Sequence, residues 1–263
     1  MLRTGSSRSA VRSRRRADAR RDGGAVRFDW YDVTSHDAAL DGADRVYLVP
    51  PVGDPEPADV MAPFLERARA AGCGVWSCSA PRPSRGRPRA GKVHELLAGG
   101  LFEEWAVLRP SWFMQNFTDR HVHAESIRDD GVVSTATGGG RVGFIDADDI
   151  AAVAVRALTD VTAPNRDLVL TGPEALGYDE IAEIIGRITG SPVSHRRLTH
   201  EQMRDRLTAE GIPAPFAVML ADMDRAIADG VEDRITDTVE RVTGSPARSF
   251  RAYAESVLTR VAR

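Results

Sequence analysis

The sequence predicts an α/β fold built on a mostly parallel sheet, and three observations predict it. From residue 25 onward, short apolar runs alternate with amphipathic stretches, the pattern of strands separated by helices. The strand candidates are continuous apolar runs rather than alternating ones, as expected for strands buried on both faces of a sheet. The chain has 263 residues, 42% hydrophobic and 28% charged, enough for an α/β domain with a smaller lobe attached.

Taken in order, Arg45–Val49 (RVYLV) follows Gly42-Ala43-Asp44 and stops at Pro50-Pro51, a short buried strand. Asp59–Ala71 sets Val60, Met61, Phe64, Leu65 and Ala68 on one helical face, with Gly72 as the terminating cap. Val75–Pro81 (VWSCSAP) is neither apolar throughout nor alternating, so by itself it does not read as a strand. Lys92–Ala98 reads as a short helix, and Trp105–Leu108 as a strand ended by Arg109-Pro110. Asp148 is placed to cap a helix running to Leu158, with Ile150, Val153, Ala154 and Ala157 inward. Asp167–Thr171 is a strand. Asp179–Thr189 is a helix with Ile181, Ile184, Ile185 and Ile188 on one face and Gly190 at its end. Thr199 and Gln202 form a capping-box pair opening a helix that buries Met203 and Leu207. Pro213–Asp229 and Ser249–Ala262 close the chain as helices. In such a sheet, ligands bind at the carboxyl ends of strands, which points to Pro50-Pro51 and to the segment after Leu108.

Composition excludes several classes. No stretch approaches the roughly 20 apolar residues that span a bilayer, and no apolar segment follows the basic start, so neither a membrane span nor a secretory signal is expected. A cytoplasmic location is the expectation. The net charge of −3 conceals an asymmetry: residues 1–24 carry eight arginines against Asp18 and Asp22, a sum of +6 that leaves −9 for the rest. Such a leader reads as disordered or aberrant, or as a basic arm for an acidic surface. The acidic body argues against a nucleic-acid partner. Cys73 and Cys78 match neither a redox pair nor a metal set. Lys92 is the only lysine beside 34 arginines, a bias that fits GC-rich coding DNA.

Six segments in order carry a resemblance. After Phe28-Asp29-Trp30 come GADRVYLVPP (42–51), MAPFLERARAAG (61–72), LRPSWFMQNF (108–117), GRVGFIDADDIAAVAVRAL (140–158) and LVLTGPEALGYDEIAEII (168–185). Together they resemble the NmrA-like, atypical short-chain dehydrogenases, which include NADPH-dependent quinone and triarylmethane-dye reductases and also cofactor-sensing regulators without turnover. The resemblance implies a Rossmann-like, doubly wound parallel sheet with a small, mostly helical C-terminal lobe for substrate. It implies a leader over 1–24, a dinucleotide-binding domain over 25–160 and the substrate lobe over 161–263, interleaved with the sheet.

Two departures stand out. The family opens with a strand and a TGxxGxxG turn, whose bare backbone lets the cofactor pyrophosphate reach a helix N-terminus. Here Thr4–Val11 keeps only Gly5, with Arg8 and Val11 where glycines belong, so the first strand and glycine loop are degraded or missing. The second lies at Gly74–Ala90, where the family has an apolar strand reading VVLLSA. In GC-rich codons the letters for Val75–Pro81, read from the third base, encode Val-Val-Leu-Leu-Ser-Ala. A compensated local frameshift is therefore the expectation, and re-sequencing the gene checks it.

Classical members of the superfamily use Tyr-x-x-x-Lys. Lys92 would need its tyrosine at position 88, which is Pro88, so that mechanism is excluded. What remains by resemblance is hydride transfer by juxtaposition. The expected cofactor is NADP or NAD, with NADP favoured. Its expected contacts are Gly5, Asp29, Trp30, Val49, Pro50, Pro51, Lys92, Pro110, Ser111 and Phe113. Lys92, Ser111 and Asn116 are the catalytic candidates, with His94 as a further proton donor and Glu95 beside it. Trp112, Met114 and Phe117 are the candidate substrate pocket, although two of the four apolar residues Trp112, Phe113, Met114 and Phe117 are expected in the core. Asp146, Asp148 and Asp149 resemble a metal cluster but are better placed to cap a helix, and His121 and His123 have the wrong spacing for one helical face, so no metal is expected. The implied activity is reduction of a small aromatic or quinone-like acceptor. The alternatives are a dinucleotide-sensing regulator without turnover and a degenerate member that binds no dinucleotide. The expected partner is a small-molecule substrate, and the expected assembly a monomer or homodimer.

Overall fold

The computed structural model describes the backbone of 12–15 and residues 25–51, 54, 57–78, 95–118 and 120–261. The order of elements is β1 (Arg12–Arg15), a 3-10 turn (Val33–Ser35), α1 (His36–Leu40), β2 (Ala43–Leu48), α2 (Pro57–Ala70), β3 (Gly74–Cys78), a π turn (Leu97–Leu101) and β4 (Trp105–Pro110). A second 3-10 turn (Met114–Phe117) leads to α3 (Val122–Asp130), β5 (Val132–Thr135), β6 (Arg141–Val142), α4 (Ala147–Thr159) and β7 (Arg166–Leu170). The remaining elements are β8 (Leu176–Gly177), α5 (Tyr178–Thr189), β9 (Ser194–Arg197), α6 (His200–Ala209), α7 (Ala214–Ala228), α8 (Thr238–Thr243) and α9 (Phe250–Val261).

The main sheet runs β1-β2-β3-β4-β7, with β2–β3 and β3–β4 parallel. The continuous apolar runs have the burial that parallel strands need: Val46, Leu48, Val75, Ala106, Val107 and Leu108 are all fully buried. β1 is an edge strand antiparallel to β2, with its register broken between Arg14 and Arg15. β3 is a strand that the residue pattern does not predict. Its backbone pairs with β2 from Gly74 to Ser77 and with β4 from Val75 to Cys78, so main-chain bonding on both sides holds it in place of side-chain pattern. Gly5, the rest of the leader outside β1, and Lys92 and His94 lie outside the described residues.

The chain forms two compact units, 1–109 with 154–168 and 110–153 with 169–263. The chain crosses between them at 109/110, 153/154 and 168/169.

In the first unit, α2 continues through Pro63 and buries Met61, Phe64, Leu65 and Ala68 in one core with Val46, Leu48 and Val75. That apolar face outweighs the one backbone bond that the proline removes. Arg45 ties the unit together: its guanidinium takes both carboxylate oxygens of Glu104 at 2.9 and 2.8 Å. It also donates to the Leu158 and Asp160 carbonyls at 3.0 and 2.6 Å, capping the end of α4 with a positive charge.

In the second unit, Met114, Phe117, Phe144, Tyr178, Ile181, Ile185 and Phe250 form the main core, and α6 pairs with α7 through Met203, Leu207, Ala217 and Ala221. Gly172 is required by close packing, because a Cβ there would stand 2.0 Å from the Phe144 carbonyl oxygen. The capping box forms as its spacing predicts: Gln202 N donates to Thr199 Oγ1 and Thr199 N to Gln202 Oε1. α5 ends at Gly190, which takes φ 72°. At α4 the cap is Asp146 rather than Asp148. The helix starts two residues earlier than the pattern predicts, and Asp146 Oδ1 accepts from Asp148 N at 3.1 Å.

Candidate functional site

The site candidate in the second unit grows out of the end of β4. In the first unit, the apolar run Trp105–Leu108 stops at Arg109, whose Nε pairs with Asp167 Oδ2 at 2.8 Å. Beyond Pro110, in the second unit, Ser111 N donates to Leu170 O at 2.8 Å. Ile145 N then donates to Trp112 O and Met114 N to Ile145 O, each at 2.9 Å, so the segment is stitched on both sides by backbone.

Within this frame two polar groups are left over. The Ser111 hydroxyl and the Trp112 indole Nε1 are buried, and neither has a hydrogen-bond partner among the described residues. Leaving such a group unpaired costs about 1–3 kcal/mol. Phe113 next to them is 38% exposed.

Below them the segment is locked. Gln115 Nε2 donates to Asp146 Oδ1 at 2.7 Å, while its Oε1 accepts from Ala147 N at 3.2 Å. Asp146, 1% exposed, also receives Arg248 Nη1 at 3.0 Å, and Arg248 N donates to Asp149 Oδ2 at 2.8 Å. Burial pushes the Asp149 carboxyl above its ordinary range, against the backbone bond from Arg248. The three acidic residues thus serve a helix start and an ion pair, and no group of metal-ligand type occurs among the described residues. Gln115 was missed from sequence because a lone glutamine carries no local signal of what its two ends will meet.

Several sequence candidates find other work. Met114 and Phe117 are 1% and 2% exposed and sit in the core of the second unit. Trp112 is half-buried and Phe113 exposed, so two of the four apolar residues are core. Asn116 is half-buried, its amide making no hydrogen bond among the described residues. His121 Nδ1 accepts from His123 N and starts α3. The His123 ring is stacked on Phe117, and burial drives its pKa to about 3, so it stays neutral.

In the first unit, Trp30 is 5% exposed and packs edge-on against Phe28 and Phe64 at 4.8 and 5.7 Å. Its Nε1 donates to Val49 O at 3.3 Å, so it braces the end of β2 from within the core. Asp29 folds a turn, its Oδ1 accepting from Tyr31 N at 3.0 Å. Val49 is 46% exposed directly after β2, with Pro50 and Pro51 half-buried behind it. Of the remaining candidates, Gly5, Lys92 and His94 lie outside the described residues, and Glu95 is exposed.

A parallel sheet carrying orphaned polar groups at a strand's carboxyl end defines a Rossmann-like α/β protein. No family model matches the chain. The Bacillus subtilis (strain 168) protein described as uncharacterized oxidoreductase YesF is 44% identical over 241 residues, covering 91% of this chain and 83% of its own length. Agroclavine dehydrogenase of Claviceps fusiformis is 36% identical over 235 residues, covering 86% of this chain and 81% of its own. Among solved structures, the Escherichia coli NADPH-dependent quinone oxidoreductase QOR2 complexed with NADPH superposes with a TM-score of 0.77. It is 21% identical and covers 88% of this chain and 82% of its own. The chain belongs to the NmrA-like, atypical short-chain dehydrogenase family of oxidoreductases.

Proposed function

We propose that this chain is an NAD(P)H-dependent reductase of a small aromatic or quinone-like acceptor, with NADP favoured over NAD. The observation that carries the reading is the buried pair without partners, Ser111 Oγ and Trp112 Nε1, at the carboxyl end of β4. When bound, the nicotinamide supplies a hydride. Pro110 and Ser111 hold its carboxamide end, and the exposed face of Phe113 packs against it. Trp112 flanks the acceptor and Asn116 orients an acceptor carbonyl. Gln115, held by Asp146, positions these residues without touching the reacting atoms. From the first unit, Asp29, Val49, Pro50 and Pro51 are the proposed dinucleotide contacts. Lys92 is proposed to face a cofactor ribose or a developing oxyanion, and Gly5 to belong to what remains of the phosphate turn.

With no Tyr-x-x-x-Lys pair, the acceptor must be electrophilic enough to take its proton from water, which favours a quinone or an extended cationic aromatic. Family membership and the quinone named for the Escherichia coli structure support the same class. Titration of the chain with NADPH and NADH by fluorescence, followed by NADPH consumption over a quinone panel, tests the reading. Turnover on one or more quinones is the expected result. Binding without turnover on any acceptor overturns the enzyme reading in favour of a sensor, and absence of binding overturns both.

A further inference from the structure

A second cluster of uncommitted donors lies in the second unit, around a cleft of about 340 Å³. Its floor is the parallel pair β5–β9, in which Ser134 and Arg196 are register partners and so share one face. Ser134 lines the cleft and is 4% exposed, and its buried hydroxyl has no partner among the described residues. Arg196 is exposed and makes no hydrogen bond or ion pair among the described residues.

The wall comes from α6, where Gln202 and Arg206 stand one turn apart and both line the cleft. Arg206 spends its Nε on Glu210 at 2.8 Å, which leaves its terminal nitrogens for the cleft. Gln202 spends its Oε1 on the capping box, which leaves its amide N–H groups. On the far side Asp130 is the sole carboxylate lining the cleft, and Ser126 donates its hydroxyl to Val132 O at 2.6 Å. Two guanidinium groups, that of Arg206 paired with Glu210, stand with a hydroxyl and an amide against one lining carboxylate.

We propose that this cleft is an oxyanion site that takes a phosphoryl group, with Ser134, Arg196 and Arg206 as its main donors. A tetrahedral phosphoryl presents several acceptor oxygens to converging donors. A planar carboxylate presents two oxygens and leaves part of the set unused. Two guanidinium forks match phosphate geometry, and the buried hydroxyl gains the partner that the protein does not provide.

Calorimetric titration of the full chain tests this, with ionic strength held constant by chloride. The probes are inorganic phosphate, glycerol 3-phosphate and acetate. Phosphate or the phosphomonoester is expected to bind at one site with Kd below about 1 mM, and acetate about tenfold more weakly. Tighter binding of glycerol 3-phosphate marks a phosphorylated metabolite as the natural ligand, and tighter binding of phosphate marks the free ion. Arg196→Gln is expected to weaken binding about tenfold, and Asp130→Asn to tighten it about threefold. Ser134→Ala is expected to weaken binding about fivefold while leaving the phosphate-free Tm unchanged or raised, a pairing that a merely structural serine does not give. No saturable heat up to about 10 mM phosphate, or an unchanged Kd in Arg196→Gln, overturns the proposal.

Discussion

The two units each contain a buried polar cluster, and the clusters differ in how completely their groups are paired. In the first, the Arg45 guanidinium is surrounded by the Glu104 carboxylate and by two carbonyls at the end of α4. In the second, the Ser111 hydroxyl and the Trp112 indole N–H are more deeply buried and have no partner among the described residues. A paired cluster holds secondary structure together and gains nothing from a ligand. An unpaired one detracts from the stability of the empty protein and recovers that loss on binding. Burial alone does not separate the two roles; hydrogen-bond satisfaction does.

Four substitutions break or sharpen this contrast, from the largest effect to the smallest. Gly172→Ala belongs to neither cluster and sets the scale of pure packing. Its Cβ meets a backbone oxygen that cannot turn aside, so a loss of about 4 kcal/mol is expected in urea unfolding. Arg45→Ala tests the paired cluster. It strands a partly buried Glu104 carboxylate and uncaps α4, for an expected loss of about 3 kcal/mol, discounted because Glu104 is 38% exposed. Glu104→Gln in the same background should recover part of that loss, and a double-mutant cycle showing no coupling would refute the assignment.

His123→Phe tests a buried group whose neutral form is the one the fold holds. The folded pKa of about 3 lies below the ordinary 6.5, so the histidine's contribution is complete above about pH 6.5 and is lost as the pH falls toward 3. At pH 5, 1.5 units below 6.5, this amounts to about 2 kcal/mol at 1.4 kcal/mol per unit. Asp224 runs the other way. Burial lifts its carboxyl to about 6, so its contribution is present below about pH 4 and is lost as the pH rises through 6. His123→Phe keeps the stack on Phe117 and should abolish the histidine's share of the acid-side decline between pH 7 and pH 5; an unchanged decline would show that the ring is protonated in the fold.

Ser111→Ala gives the smallest change in stability and the most diagnostic one. Removing an unpaired hydroxyl should leave Tm level or raise stability by up to about 1 kcal/mol, while NADPH affinity falls about tenfold. A loss of stability would mean that the hydroxyl is paired within the protein, and the contrast between the clusters would fail.

What was legible in the sequence was local. Four inward isoleucines and Gly190 announce α5, and Thr199 with Gln202 announces α6, because caps and amphipathic faces act within a few residues. The strand end at Arg109-Pro110 was legible as the place where β4 stops. Its occupants were less legible. Met114 and Phe117 share their segment with Trp112 and Phe113, yet two turn into the core and two stay accessible. Trp30 reads equally well as a cofactor contact or a brace, and only its ring contacts with Phe28 and Phe64 decide.

By itself, then, the sequence determined the alternation of strands and helices, the absence of a Tyr-x-x-x-Lys pair and the family to which these residues belong. The tertiary structure decided which polar groups are paired. Gln115 meets Asp146 across 31 positions, Arg45 meets the end of α4 across more than 110, and Ser134 stands opposite Arg196. The Ser111 hydroxyl meets no partner among the described residues. Pairing depends on distances between residues remote in the chain, and no periodicity or spacing encodes them, so the difference between a residue that builds the fold and one that waits for a ligand is settled only in three dimensions.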